Sequence, residues 1–283
     1  MANFIISLDS STHANAGAAE LAITNAGLAI TKTYAFPLTY GVTGSTSQVS
    51  GLAGVSQYND ADESVTTTLN VDVDYGHLST TAINPNYQYY WHPLDTTLGQ
   101  GQHIYLLDSG VNTAHREFDA NTSINNLYNV TSATGFVDTQ GHGTGMASIL
   151  VGTAIGVAEN ATLHNVKMFD DANGTILIGE VVTALDEVLA HHVANDPTQP
   201  KIVCMPWVIT KNQLVDEKLD QLLSQNLMLV ASAGNAGNGV DVDTVTPGGL
   251  DTITTVGSHS DQFEVSTFSQ MPIIDYVDDT VTP

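Results

Sequence analysis

The chain has 283 residues, with 30 acidic and 6 basic side chains and a net charge of −24. Charged residues are 13% of the total, about half the usual share of roughly 25%, so the chain is depleted in bases rather than enriched in acids. Lys32 is the only lysine or arginine before Arg116. Phosphate binding needs clustered bases, so we expect no nucleic-acid partner and no anionic membrane partner.

The first 75 residues predict a small α+β unit. Apolar and β-branched patterns indicate strands over 3–8, 28–42 and 65–75, and helical spacing indicates helices over 12–27 and 44–60. The stretch 76–101, rich in Pro, Asn, Thr and Gly, predicts a connector.

From His103 onward, short apolar runs alternate with segments of helical periodicity. The predicted strands are HIYLLDSG, ATLHNVKMF, PKIVCMPWVI and LMLVASAG, and the predicted helices are GHGTGMASILVG, TILIGEVVTALDEVLAHHV and QLVDEKLDQLLSQN. This alternation predicts an α/β fold with a parallel sheet covered by helices on both faces. Active sites of such sheets lie at the carboxyl ends of the strands.

Three polar residues fall at such strand or turn positions. Asp108 ends an apolar strand, His142 opens a helix between two glycines, and Asn235 follows another apolar strand. Each alone is typical of a cap or a turn. Together a carboxylate, an imidazole and an amide are the parts of acyl-transfer chemistry: an orienting acid, a general base and an oxyanion donor.

These motifs resemble the subtilisin-like serine peptidases, and the proteinase K branch above all. The matching segments are GQGQHIYLLDSGVNTAHREF, QGHGTGMAS, GVAENATLHNVKMFDDANG, LMLVASAGNAGN, TPGG, TITTVGS and STFSQ. The resemblance implies that Asp108 orients the imidazole, His142 is the general base and Asn235 stabilises the oxyanion. It also implies an inhibitory propeptide-like domain over 1–75, the connector over 76–101, and a subtilisin-like domain over 102–283 that is incomplete at its C-terminus.

The resemblance does not extend to the nucleophile. The family's serine lies in a G-T-S-M-A box, and the chain reaches Pro283 without one. Ser266 and Ser269 belong to the STFSQ segment and Ser148 follows the His142 box. Because a general base without a nucleophile cannot form an acyl-enzyme, we expect this chain to be inactive by itself.

The predicted substrate cleft also departs from the family. Where the family has M-S-L-G-G, this chain has Met205, Pro206 and Trp207 followed by branched residues, which would narrow a peptide groove. The opposite wall is kept as Ala231, Ser232, Ala233 and Gly234. We expect no cofactor and no metal site: the acidic pair in FDDANG is typical of a turn, and His191 and His192 are adjacent in a helix and point to different faces.

Two hypotheses follow. In the first, the chain is a degenerate subtilase used as a structural or interaction module, and its composition fits a virus particle component better than a secreted protease. In the second, it is the N-terminal portion of an active serine endopeptidase whose serine lies on a separate or unrecorded polypeptide. Both predict a protein partner or self-association that covers the truncated C-terminal edge.

The start of the chain, MANFIISLDSS, lacks the pattern of a secretory signal, so we expect a cytoplasmic or virus-particle protein.

Overall fold

The computed structural model describes residues 2–66, 97–170, 174–237, 239–258 and 264–272. The predicted strand beyond Thr66 and most of the predicted connector lie outside these ranges.

The N-terminal part is an antiparallel sheet of four strands in the order β2-β3-β1-β4, with two helices. Its elements are β1 (Ala2–Leu8), α1 (Ala16–Asn25), β2 (Ala29–Thr33), β3 (Thr39–Gly44), α2 (Thr46–Ser50) and β4 (Val55–Asp60). Asn15 caps α1 by accepting the amide of Ala18, and Ser45 and Gln48 form a capping box at α2.

Two of the predicted elements in this part are wrong. The single strand expected over 28–42 is two strands, because the chain reverses at Pro37 and Leu38, whose φ of 46° is left-handed. The helix expected over 44–60 is a single short helix that ends at Ser50, with Gly51 as its C-cap. After a turn at Gly54, with a φ of 77°, the chain pairs with β1 as β4 instead.

The rest of the described chain is built on a parallel sheet of six strands in the order β14-β12-β10-β6-β8-β7, which confirms the predicted α/β fold. The strands of this sheet are β6 (His103–Asp108), β7 (Ser123–Asn129), β8 (Thr162–Lys167), β10 (Lys201–Met205), β12 (Leu227–Ser232) and β14 (Thr254–Val256). Two short pairs lie beside it, β5 (Ser64–Thr66) with β9 (Thr175–Leu177) and β11 (Ile209–Thr210) with β13 (Val245–Thr246).

Helices cover both faces of this sheet, as predicted. They are α3 (His142–Val151), α4 (Ile178–Ala194) and α5 (Gln213–Ser224). Ile104 and Leu106 of β6 pack with α3, whereas Tyr105 and Leu107 pack with α4 and α5. Because side chains alternate along a strand, Asp108 belongs to the α3 side.

The N-terminal sheet packs on α4 and α5. Ile5 and Phe36 are buried in the same apolar cluster as those helices. Asp186 of α4 accepts the backbone amides of Ala35 and Phe36. Lys218 of α5, fully buried, donates to hydroxyl groups of the N-terminal sheet. None of the described helices combines the length and apolar character needed to cross a bilayer.

Candidate functional site

Asp108 and His142 meet at the carboxyl end of β6. Nδ1 of His142 lies 2.8 Å from Oδ1 and 2.9 Å from Oδ2 of Asp108. The carboxylate is fully buried, and the backbone amide of Ser109 donates to it at 2.6 Å. The imidazole keeps 11% side-chain exposure. With Nδ1 held by the carboxylate, the neutral ring carries its lone pair on Nε2, as a general base requires.

The electrostatics of the pair favour the protonated imidazole. Burial by itself would lower the pKa of His142, but the hydrogen bond and charge of Asp108 and the charge of Asp138 raise it, and the result lies above the usual value. The imidazolium that forms when a base accepts a proton is therefore stabilised in this site.

Glycines let α3 approach the end of β6. Gly141 precedes the helix with a φ of 102°, which is left-handed. A Cβ on Gly143 would lie 2.2 Å from the carbonyl oxygen of Gly110 and 3.1 Å from a carboxylate oxygen of Asp108. The glycines on both sides of His142 are therefore required by the turn and by close packing.

A residue that sequence reasoning missed, Asp138, holds the start of α3. One carboxylate oxygen accepts the hydroxyl of Ser109 and the amides of Gln140 and Gly141, and the other accepts the amide and hydroxyl of Thr144. Burial raises the pKa of Asp138, but these hydrogen bonds lower it more. The signal in the sequence is a carboxylate placed just before a helix start, where it stabilises free amides. Asp138 therefore positions His142.

We expect Asp138→Asn to loosen α3 and lower the pKa of His142. The amide cannot accept all five hydrogen bonds, and the negative charge that raises the pKa is lost. Losing hydrogen bonds to a buried charged group lowers the free energy of unfolding by about 1–3 kcal/mol. Urea unfolding and NMR titration of the His142 ring check both effects. Asp119→Asn, at an exposed turn, is the control and should leave the His142 titration unchanged.

Asn235, the predicted oxyanion donor, lies beyond the end of β12. It is exposed and lines a surface cavity of about 310 Å³ with Val208, Ile209 and other residues. In the described part of the chain no hydrogen bond joins Asn235 to Asp108 or His142. The structure therefore brings the acid and the imidazole into contact and leaves the amide separate, so its role stays a prediction.

The residues predicted to line the cleft are mostly inside the protein. Met205, Trp207 and Ala231 are buried in the apolar core, and the indole N–H of Trp207 donates to the carbonyl of Leu107 at 2.9 Å. Ala233 and Gly234 are also buried, whereas Pro206 and Ser232 are partly exposed. Pro206 and Ser232 are therefore the predicted cleft residues that solvent can reach.

Comparison with known proteins decides the family. The model of the subtilase family, Peptidase_S8, matches residues 99–273. The chain belongs to the subtilase family. The matched range of this subtilase contains Asp108, His142 and Asn235.

The relatives of this subtilase are peptidases by name. It is 28% identical over 182 residues to Subtilisin-like protease 1 of Arthroderma otae, covering 64% of this chain and 36% of the relative. It is 32% identical over 149 residues to the extracellular serine proteinase of Thermus sp. strain Rt41A, covering 50% of this chain and 34% of the relative. The chain thus spans about a third of the length of these curated relatives.

A solved structure agrees with the fold. A cold adapted subtilisin-like serine proteinase superposes on the chain with a TM-score of 0.54 at 25% identity, covering 63% of this chain and 64% of the other. The subtilisin-like α/β fold is therefore established for the large sheet and its helices.

The described residues of this subtilase contain no group of three His, Cys, Asp or Glu arranged to hold a metal ion. Asp170, in the FDDANG segment, lies 3.5 Å from the buried ammonium of Lys167, and Asp171 is outside the described ranges. Lys167 also donates hydrogen bonds to the backbone carbonyls of Ser109 and Val137. It therefore links the loop after Asp108 to the loop before His142.

Proposed function

We propose that this chain supplies the acid and base of a subtilisin-like serine endopeptidase site and does not hydrolyse peptides by itself. The contact between buried Asp108 and Nδ1 of His142 carries the proposal. A carboxylate that orients an imidazole and stabilises its protonated form is the arrangement that activates a serine hydroxyl. Asn235, exposed beyond β12, would serve as an oxyanion donor once substrate is bound.

The serine hydroxyls of the described chain support the second half of the proposal. Ser109 donates to Asp138, Ser148 donates to the carbonyl of Thr144, and the hydroxyls of Ser258 and Ser266 bond each other. Within the described ranges no serine hydroxyl is hydrogen-bonded to His142. The nucleophile would therefore come from polypeptide beyond these residues.

The partner that we propose is polypeptide that packs beside β14. Among the described residues this strand is the last of the sheet, and its Val256 is 54% exposed. Val265, Phe268 and Met271 are also exposed nearby, around a cavity of about 480 Å³ that Val265 and Met271 line. An exposed apolar surface next to an open strand edge is typical of an interface.

A second candidate function is an inactive scaffold, such as a component of a virus particle. Burial of Met205 and Trp207 favours it, because these bulky side chains fill the core where the predicted peptide groove would begin. In this case the site residues would be structural remnants, and shape rather than chemistry would carry the function.

A fluorophosphonate probe, which labels only an activated serine, distinguishes these proposals. We expect no labelling of purified residues 1–283, and labelling of a serine-containing partner or longer species in native material. His142→Ala in the native gene is the matched control and should abolish that labelling. Labelling of residues 1–283 would contradict the proposed lack of a nucleophile, and native material without any labelled species containing this chain would favour the scaffold.

A further inference from the structure

Four of the ten histidines gather on the α4 side of the large sheet, away from the Asp108–His142 site. His103 begins β6, His164 lies in β8, and His191 and His192 are near the end of α4. Nδ1 of His103 lies 2.9 Å from Nε2 of His164, and the Tyr105 hydroxyl lies 2.9 Å from Nδ1 of His191. We call these four histidines with Tyr105 the histidine cluster.

His164 is the centre of the cluster. Its ring stacks on His103 and Tyr105, with centroids 5.2 Å and 5.0 Å away, and its centroid is 4.7 Å from that of His191. It is only 3% exposed, and its Nδ1 has no hydrogen-bond partner among the described residues. The ring therefore has little access to the water that would solvate a charge.

The charged neighbours do not offset a positive charge on His164. Lys201, at the start of β10, is buried, and its ammonium contacts Nδ1 of His192 at 3.1 Å and the carbonyl of Asp196 at 3.0 Å. The carboxylate of Asp196 is exposed and interacts with Lys201 and His192 rather than with His164.

In the described part of the chain, no carboxylate of the remaining elements raises the pKa of His103, His164 or His191. Glu187 lies one turn before His191 on α4, and its negative charge helps to raise the pKa values of Tyr128 and Asp186. On β7 the residue in register with His164 is Asn125, which is uncharged. A proton taken up by the cluster therefore enters a region of like charge.

The hydrogen bond between His103 and His164 depends on protonation. One ring nitrogen must donate and the other accept, so at least one of the two imidazoles must lack a proton at the shared contact. If both rings are imidazolium, two N–H groups face each other across 2.9 Å and the contact opens.

Burial lowers the pKa of His164 to about 4, helped by His191, His103 and Lys201. Burial also lowers the pKa values of His103, His191 and His192. An opened state, in which His164 has its usual pKa of 6.5, binds more protons than the closed state between pH 6.5 and about 4. The closed state is therefore most stable above pH 6.5 and loses stability as the pH falls through this window.

The same helix also holds the N-terminal sheet, through residues between its start and its middle. The ammonium of Lys32 donates a hydrogen bond to the hydroxyl oxygen of Thr183 on α4 at 3.2 Å, and the carboxylate of Asp186 accepts hydrogen bonds from the amides of Ala35 and Phe36. The pKa of Asp186 is raised, chiefly by burial, so its protonation does not itself oppose folding on acidification. Helix α4 thus links the histidine cluster to the attachment of residues 2–66.

We propose that the histidine cluster is an acid-sensitive switch that loosens α4 in mildly acidic solution and thereby weakens the attachment of the N-terminal sheet. Protonation of His164 and its neighbours breaks the His103–His164 contact and places like charges between the sheet and the end of α4. The displacement at the end of α4 is transmitted to Thr183 and Asp186, because these residues belong to the same continuous helix.

Hydrogen exchange of the full chain at pH 7.5 and pH 5.0, corrected for intrinsic exchange, tests the switch. From the two pKa values of His164, linkage predicts that protection of amides near the end of α4 falls about 30-fold. Amides of β3 should lose protection in parallel, whereas those of β12 should not. His164→Phe keeps the ring stacking without a titrating nitrogen and should remove most of the fall.

His115→Phe is the matched control, because His115 is exposed and lies outside the cluster; it should keep the full response. Unchanged α4 protection at pH 5.0, or an equal fall in His164→Phe, would overturn the proposal. So would an equal loss in β12, which means global unfolding. If His164→Phe does not fold, His164→Gln, which keeps a side chain able to bond His103, takes its place with the same expected result.

Discussion

Gly143→Ala is expected to destabilise the chain and to separate His142 from Asp108. The new Cβ would lie 2.2 Å from the Gly110 carbonyl oxygen, which is backbone and cannot rotate away. The start of α3 would have to move away from β6, and the 2.8 Å contact with Asp108 would lengthen. Overpacking of this kind costs about 3 kcal/mol. Because the Asp108 contact raises the pKa of His142, that pKa should fall.

Urea unfolding and NMR titration of His142 measure the two effects, and Gly145→Ala is the matched control. Gly145 lies in the same helix, and a Cβ there meets nothing within 4 Å. Alanine at this position should stabilise the chain by about 0.5–1 kcal/mol, because glycine disfavours helix interiors. If the two variants had similar stability, the close approach of α3 to Gly110 would be wrong.

The parallel sheet follows from sequence for a physical reason, whereas the pairing of acid with imidazole follows from the family resemblance. Apolar runs such as the one before Asp108 are typical of strands buried on both faces. The rule that active sites of such sheets lie at the carboxyl ends of the strands draws attention to Asp108. It does not place His142, which opens a helix, so the contact of the imidazole with Asp108 is an expectation that comes from the family resemblance alone.

Features that depend on strand register could not be predicted in this way. His103, His164 and His191 are far apart in sequence, and only the pairing of β6 with β8 and the packing of α4 bring their rings together. The helix expected over 44–60 failed for a related reason, because pairing with β1 outweighed a weak local preference.

Trp207 shows the same limit at the predicted cleft. The comparison with the family's M-S-L-G-G strand predicts that Trp207 lines the substrate cleft. The end of a strand still has two faces, however, and Trp207 turns toward the face that α4 and α5 cover. There it meets Phe169 edge to face, with ring centroids 6.1 Å apart. Trp207 therefore belongs to the support of the site rather than to its surface.

Trp207→Ala is expected to lower the free energy of unfolding strongly. The indole is 1% exposed, and removing a buried tryptophan costs about 3–5 kcal/mol. The Leu107 carbonyl, next to Asp108, also loses the N–H that donates to it. We expect a lower midpoint of urea unfolding with an unchanged slope.

Trp207→Phe separates the two contributions, because it keeps an aromatic ring but no N–H donor. It should lose about 1 kcal/mol for the hydrogen bond and a smaller packing term. If Trp207 instead lined an open groove, alanine would cost less than about 1 kcal/mol and the two variants would unfold alike. If Trp207→Ala has a much lower free energy of unfolding than Trp207→Phe, ring packing stabilises the core. If the pKa of His142 in Trp207→Phe is still above its usual value, the Asp108–His142 pair does not require the indole N–H.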